Sequence, residues 1–231
     1  MGTYDRCKQQ VLEASLWLSE QGYFGSQRGT GGNVSVRIEG ASVMAITPTS
    51  ARYQELSVHD ICIVGFDLSP IEVKKDRRPS MESLMHSIIY RRRPDINAVV
   101  HTHQLYGSVF ALINEPIPAL FDEVSFALGP MVEVVPYDLS GSARLAENVG
   151  EKLSNNANAY IIQNHGIIAL GRHLEEAILH AELLEKVAQA YCLALSTGRA
   201  VHPLPANVIG LMKKNRNLAV KASLGKGQRR K

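Results

Sequence analysis

No stretch of this 231-residue chain is long and uncharged enough to cross a bilayer. The N-terminal stretch from Met1 to Trp17 carries Asp5, Arg6, Lys8 and Glu13 where an export signal needs an apolar run, so the sequence predicts a cytoplasmic protein without a membrane partner. Cysteine is scarce. Cys7, Cys62 and Cys192 lie far apart with no C-x-x-C pair, which excludes a disulfide framework and a thiolate metal site and suits a reducing compartment. Internal repeats and low-complexity linkers are also missing. With 45% hydrophobic and 20% charged residues, the composition is that of one ordinary globular core.

Acidic residues are absent from Lys213 to Lys231, which holds eight of the 25 basic residues. The formal charge of +3 therefore hides a body of 17 basic against 22 acidic residues. The expected organisation is a domain over residues 1–212 and a basic tail over 213–231. Because the tail has none of the interleaved aromatics of a single-strand binder, it is read as a solvated terminus, and a nucleic-acid partner is not expected.

Hydrophobic spacing then sets the elements. Val11, Leu12, Leu16 and Leu18 predict an amphipathic helix over Tyr4–Glu20, followed by the glycine-rich turn Gly29-Thr30-Gly31-Gly32-Asn33. Strands are predicted at Val34–Ile38, Val43–Thr47, Asp60–Phe66, Ile96–His103, Val132–Val135 and Ala159–Gln163. Helices are predicted from Pro79 and Ser80 to Arg92, then over Gln104–Ile113, Ser142–Leu153 and Leu174–Leu195. Interleaved helices and strands indicate an α/β sandwich, and the early hairpin-like strands argue against a purely parallel sheet.

His101 and His103 end the apolar run Ile96-Asn97-Ala98-Val99-Val100, and the two-residue period of a strand sends both imidazoles to one face. Asn164-His165-Gly166 follows a second apolar strand, and Glu82 lies on a helix shortly before the first pair. Three imidazoles and a carboxylate suit a zinc-like centre that keeps a position open for substrate.

Five segments in order carry a resemblance: Gly29-Thr30-Gly31-Gly32-Asn33-Val34-Ser35, Ile46-Thr47-Pro48-Thr49, Arg78-Pro79-Ser80-Met81-Glu82, Ala98-Val99-Val100-His101-Thr102-His103 and Asn164-His165-Gly166. The chain resembles the class II aldolase and adducin head-domain family up to about Leu195. The resemblance implies a three-layer α/β/α sandwich around a mixed, largely antiparallel sheet, and a homotetramer with active sites at subunit boundaries. It also implies a divalent ion, Zn²⁺ or another such as Mn²⁺, on His101, His103 and His165. Adducin-like heads keep the fold without the metal site, and the complete histidine set here favours an enzyme.

The implied chemistry is cleavage or formation of a carbon–carbon bond beside a carbonyl and hydroxyl bound to the metal, which spreads the charge of an enediolate. Glu82 matches the family's catalytic glutamate. His86, one turn later on the same helical face, is read as structural or as a support to the site, and His59, His173, His180 and His202 as loop or surface residues without a role. Gly31, Gly32 and Asn33 can aim backbone N–H groups at an anion, with hydroxyls from Thr49, Ser50 and Ser80 and a cation from Arg28, and the family binds its substrate phosphate here.

Three departures limit the transfer. Ser50 stands where the family's sugar-phosphate aldolases have glycine, and Met81 replaces a serine hydroxyl in their anion site. Asp122 takes the place of a tyrosine donated across the subunit boundary, and no tyrosine follows Tyr191. The expected substrate is a small sugar phosphate or related hydroxy-carbonyl compound. A decarboxylase or dehydratase of the same family is the alternative, because the same chemistry can expel carbon dioxide or water.

Overall fold

The computed structural model describes residues 2–228 except Gln27. Its helices are α1 (Thr3–Glu20), α2 (Ser83–Arg92), α3 (Leu105–Ile113), α4 (Asp122–Leu128), α5 (Ala143–Lys152), α6 (Leu174–Ser196) and α7 (Ala206–Gln228). The strands are β1 (Asn33–Arg37), β2 (Val43–Ile46), β3 (Cys62–Gly65), β4 (Pro70–Glu72), β5 (Ala98–Thr102), β6 (Ile117–Pro118), β7 (Met131–Val135), β8 (Ala159–Ile162) and β9 (Gly166–Gly171).

These strands form one sheet in the order β4-β3-β2-β1-β5-β9-β8-β7-β6. Every pairing is antiparallel except β7 with β8. Residues of α1, α3, α4 and α6 build a core on one face with Val34, Val100, Ile161 and Ile167. Met85 and Ile89 of α2 and Leu145 and Val149 of α5 build a second core on the other face with Met44, Val99, Tyr160 and Ile168. The fold is thus the expected three-layer sandwich. A fully buried side chain such as Ile89 or Ile168 stabilises it by roughly 1.5–3 kcal/mol.

Local chemistry explains the ends of the elements that matter for the site. Alternation along β5 sends Ala98 and Val100 into the first core and Val99 into the second, so His101 projects to the α2 side. The Ser142 hydroxyl caps α5 by accepting the Leu145 N–H at 3.0 Å. Helix α2 stops at Arg92, before Arg93 and Pro94.

Several expectations need correction. The helix predicted from Pro79 and Ser80 begins at Ser83, because Pro79 bridges to Pro48 and the Ser80 N–H donates to the Thr47 carbonyl at 3.1 Å. Strand β9, helix α4 and the edge strands β4 and β6 were not expected. The boundary at 212/213 falls inside α7, whose Arg216 donates to the carbonyls of Phe126, Ala127 and Asn156. At Arg216 the basic segment therefore packs on the domain instead of fraying into solvent, while residues 229–231 lie outside the described residues. His180 is buried on α6, its Nδ1 2.6 Å from the Leu170 carbonyl, and is not a surface residue. No helix among the described residues is long and apolar enough to cross a membrane.

Candidate active site and metal centre

Strand register brings the site together. In the antiparallel pair β1–β5, Asn33 stands opposite His101. In the hairpin β8–β9, Ile162 pairs with Gly166, leaving Gln163, Asn164 and His165 as the turn. Asn164 takes the left-handed conformation (φ 54°) that such a short loop requires, and the turn presents His165 beside the end of β5. The His103 N–H, just past that end, donates to the Tyr23 carbonyl at 2.8 Å.

The three rings meet at their Nε2 atoms. His101 Nε2 lies 3.0 Å from His103 Nε2 and 3.2 Å from His165 Nε2. Glu82, buried just ahead of α2, brings Oε2 to 3.2 Å from His101 Nε2 and Oε1 to 3.4 Å from His165 Nε2.

Burial, followed by the neighbouring histidines, pushes His101 and His103 down to about 3, so both rings are neutral at physiological pH. His101 Nδ1 stands 2.7 Å from the Ile167 carbonyl and must carry the proton of that hydrogen bond, which leaves the Nε2 lone pair facing the cluster. Glu82 Oε1 is buried without a hydrogen-bond partner among the described residues. Converging lone pairs beside an unpartnered carboxylate oxygen are a poor arrangement in isolation and a fitting one around a small divalent cation. The ligand atoms of His101, His103 and His165 all lie within 4.8 Å of one another.

Two glycines allow this approach. A Cβ on Gly166 would fall 2.4 Å from the Thr102 carbonyl oxygen and 2.7 Å from His103 Cδ2. Gly32, at φ 69°, would place one 2.2 Å from the Phe24 ring.

Some of the residues expected to form an anion cradle lie near one another. The Pro48–Pro79 bridge and a 2.9 Å bond from the Thr49 N–H to the Arg78 carbonyl set Thr49 and Ser50 beside Ser80. Ser80 Oγ accepts the Glu82 N–H at 3.2 Å, tying the cradle to the carboxylate's backbone. The Gly31 and Gly32 carbonyls accept the Tyr53 hydroxyl at 3.1 and 2.7 Å, which holds the glycine-rich turn in place. Met81 is exposed between Ser80 and Glu82.

Other expected residues stand apart from the histidines. Arg28 lines a surface cavity of about 470 Å³ with Glu20, Arg52, Gln54 and Glu55. Asp122 opens α4 at the surface, and among the described residues no hydrogen bond or ion pair joins it to the cluster within one chain. Sequence reasoning missed Ser140, whose Oγ lies 3.4 Å from His165 Nε2 in the loop after β7. It also missed the bonds of Asn33 to Glu82 and His86, since nothing local signals contacts between residues about fifty positions apart.

Residues 9–192 match the sequence model of the Class II Aldolase and Adducin N-terminal domain. The chain belongs to this family. The 5-deoxy-D-ribulose 1-phosphate aldolase of Bacillus thuringiensis serovar kurstaki is 37% identical over 75% of this chain and 80% of its own length. The L-fuculose phosphate aldolase of Escherichia coli K12 is 34% identical over 87% of this chain and 88% of its own. A solved L-fuculose 1-phosphate aldolase superposes with a TM-score of 0.83 at 33% identity, covering 91% of this chain and 95% of that one. The chain is an enzyme of the class II aldolase type, a lyase, and this family is divalent-metal dependent.

Proposed function

We propose that the chain cleaves, and in reverse forms, a carbon–carbon bond in a small sugar phosphate, with His101, His103 and His165 holding a divalent ion and Glu82 moving the proton. The observation that carries this reading is the meeting of three imidazole Nε2 atoms with a buried carboxylate whose Oε1 has no hydrogen-bond partner among the described residues. Relatives named as sugar-phosphate aldolases support the substrate class.

A divalent ion bound there, Zn²⁺ or Mn²⁺, supplies Lewis-acid polarisation of a carbonyl and an adjacent hydroxyl. The protein's own part is to hold His101 and His103 neutral by burial, to bring His165 and one carboxylate beside them, and to seat the far end of the substrate. Glu82 Oε1, 3.4 Å from His165 Nε2, would take a proton from a hydroxyl or return one to carbon of a substrate held at the histidines. Thr49, Ser50, Ser80 and the N–H groups of Gly31, Gly32 and Asn33 would bind the phosphate. Arg28 would act only at the outer mouth. Asp122, on the surface of its own chain, would reach a neighbouring subunit's site in a homotetramer, in the cytoplasm.

One feature favours a second reading. Met81 contributes no side-chain donor, so a carboxylate substrate and a decarboxylase or dehydratase reaction fit a weakened cradle. Incubation of the metal-loaded enzyme with phosphorylated ketoses and with hydroxy acids, followed by product identification, separates the two. An aldehyde and a three-carbon or two-carbon phosphorylated fragment supports the aldolase, whereas turnover of free acids alone overturns it.

A further inference from the structure

Behind Glu82 the structure holds a line of buried polar groups that no part of the reaction just described uses. Asn33 Nδ2 donates to Glu82 Oε2 at 2.7 Å, and Asn33 Oδ1 lies 2.5 Å from His86 Nε2. His86 Nδ1 is 2.6 Å from Ser35 Oγ, which is 2.7 Å from Tyr90 Oη. His86, Ser35 and Tyr90 are almost wholly inaccessible to water, and Asn33 is buried with them.

The direction of every bond follows from one end. A carboxylate only accepts, so Asn33 must turn its amide nitrogen to Glu82 and its oxygen to His86. That oxygen only accepts, so His86 Nε2 must carry the hydrogen. Burial pushes the ring down to about 3, against the weaker pull of Glu82, so the ring is neutral and Nδ1 is an acceptor. Ser35 therefore donates to Nδ1 and accepts from Tyr90. All four donors point towards Glu82.

We propose that His86 is a positioning residue for the proton carrier: through Asn33 it fixes Glu82 Oε2, so that Oε1 is the oxygen that meets the substrate. The proposal rests on the reading that Glu82 moves the proton, and it adds which oxygen does so and what holds it. Carboxylate rotation would otherwise exchange the two oxygens. The Asn33 contact holds one of them, while the other has no partner within the described residues.

The test compares His86→Leu, which removes both ring nitrogens, with His86→Gln, whose amide can again donate to Asn33. Folded His86→Leu is expected to keep its metal and a KM within about twofold of wild type while kcat falls about 10- to 100-fold, and His86→Gln to recover most of kcat. A folded His86→Leu with wild-type kcat overturns the proposal, and so does a loss that His86→Gln leaves unrepaired. Should His86→Leu fail to fold, ¹⁵N NMR of the wild-type ring decides: hydrogen on Nε2 is expected, and hydrogen on Nδ1 overturns the donor chain. Glu82→Gln is measured alongside. Wild-type kcat in that variant refutes Glu82 as proton carrier, whereas an inactive Glu82→Gln beside a fully active His86→Leu refutes the positioning role alone.

Discussion

Gly166→Ala probes how tightly the histidine cluster depends on backbone approach. The new methyl would lie 2.4 Å from the Thr102 carbonyl oxygen, 2.7 Å from His103 Cδ2 and 3.4 Å from His101 Cε1. Carbon atoms need about 3.5–4 Å, so the end of β5 or the His103 ring must retreat by about 1 Å. Metal–ligand distances tolerate only about 0.2 Å, so a shift of that size would remove His103 from the proposed coordination sphere. Overpacking a filled core costs about 1–3 kcal/mol, or about 2–12 °C in Tm for a chain of this length. Thermal melting by circular dichroism and metal content after dialysis against graded chelator read the two effects. Unchanged Tm together with unchanged metal retention would refute the packing argument.

Three further substitutions test other parts of the account. Ser50 holds a left-handed backbone (φ 54°) that glycine adopts without strain, so Ser50→Gly should raise stability by about 0.5–1 kcal/mol in denaturant titration, and a loss would show the serine side chain to be stabilising. Met81→Ser adds a hydroxyl beside Ser80 and should tighten inhibition by inorganic phosphate about tenfold or more; an unchanged inhibition constant shifts weight to an unphosphorylated acid substrate. Asp60 is buried and bonded to Ser57, Arg77 and Lys74, and these bonds outweigh the cost of burial to hold its carboxyl well below the usual range. Its stabilisation is therefore present above the unfolded value near 3.8 and is lost as pH falls through and below it. Asp60→Asn should cost about 2 kcal/mol at neutral pH, and a gap that stays constant into strong acid would contradict that sign.

Much of this was legible in the sequence because periodicity and burial coincide. The run ending at His101 and His103 alternates between two cores, and Ala159–Gln163 marks a strand buried on both faces. The sandwich, and the histidines that the structure brings together, followed from those patterns and the ordered motifs. What escaped had weak local signals. The apolar residues of β9 follow a three-residue turn so closely that Asn164-His165-Gly166 reads as the end of one strand, not as a hairpin. Helix α4 is a short element of seven residues, and the charge of α7 masks the packing of Arg216. His180 looks like a surface histidine until the Leu170 carbonyl shows what it satisfies. The bonds of Asn33, His86, Ser35 and Tyr90 join β1 to α2, and only the register of the sheet places them together.

Elemental analysis of the wild type and of His103→Ala, each after reconstitution with zinc or manganese and removal of free metal, tests the central claim most directly. One tightly bound divalent ion per wild-type chain, with both metal and aldol cleavage lost from a folded His103→Ala, is the predicted result. A wild type that retains no stoichiometric metal, or a variant that binds it as tightly as the wild type, would contradict the assignment of these histidines.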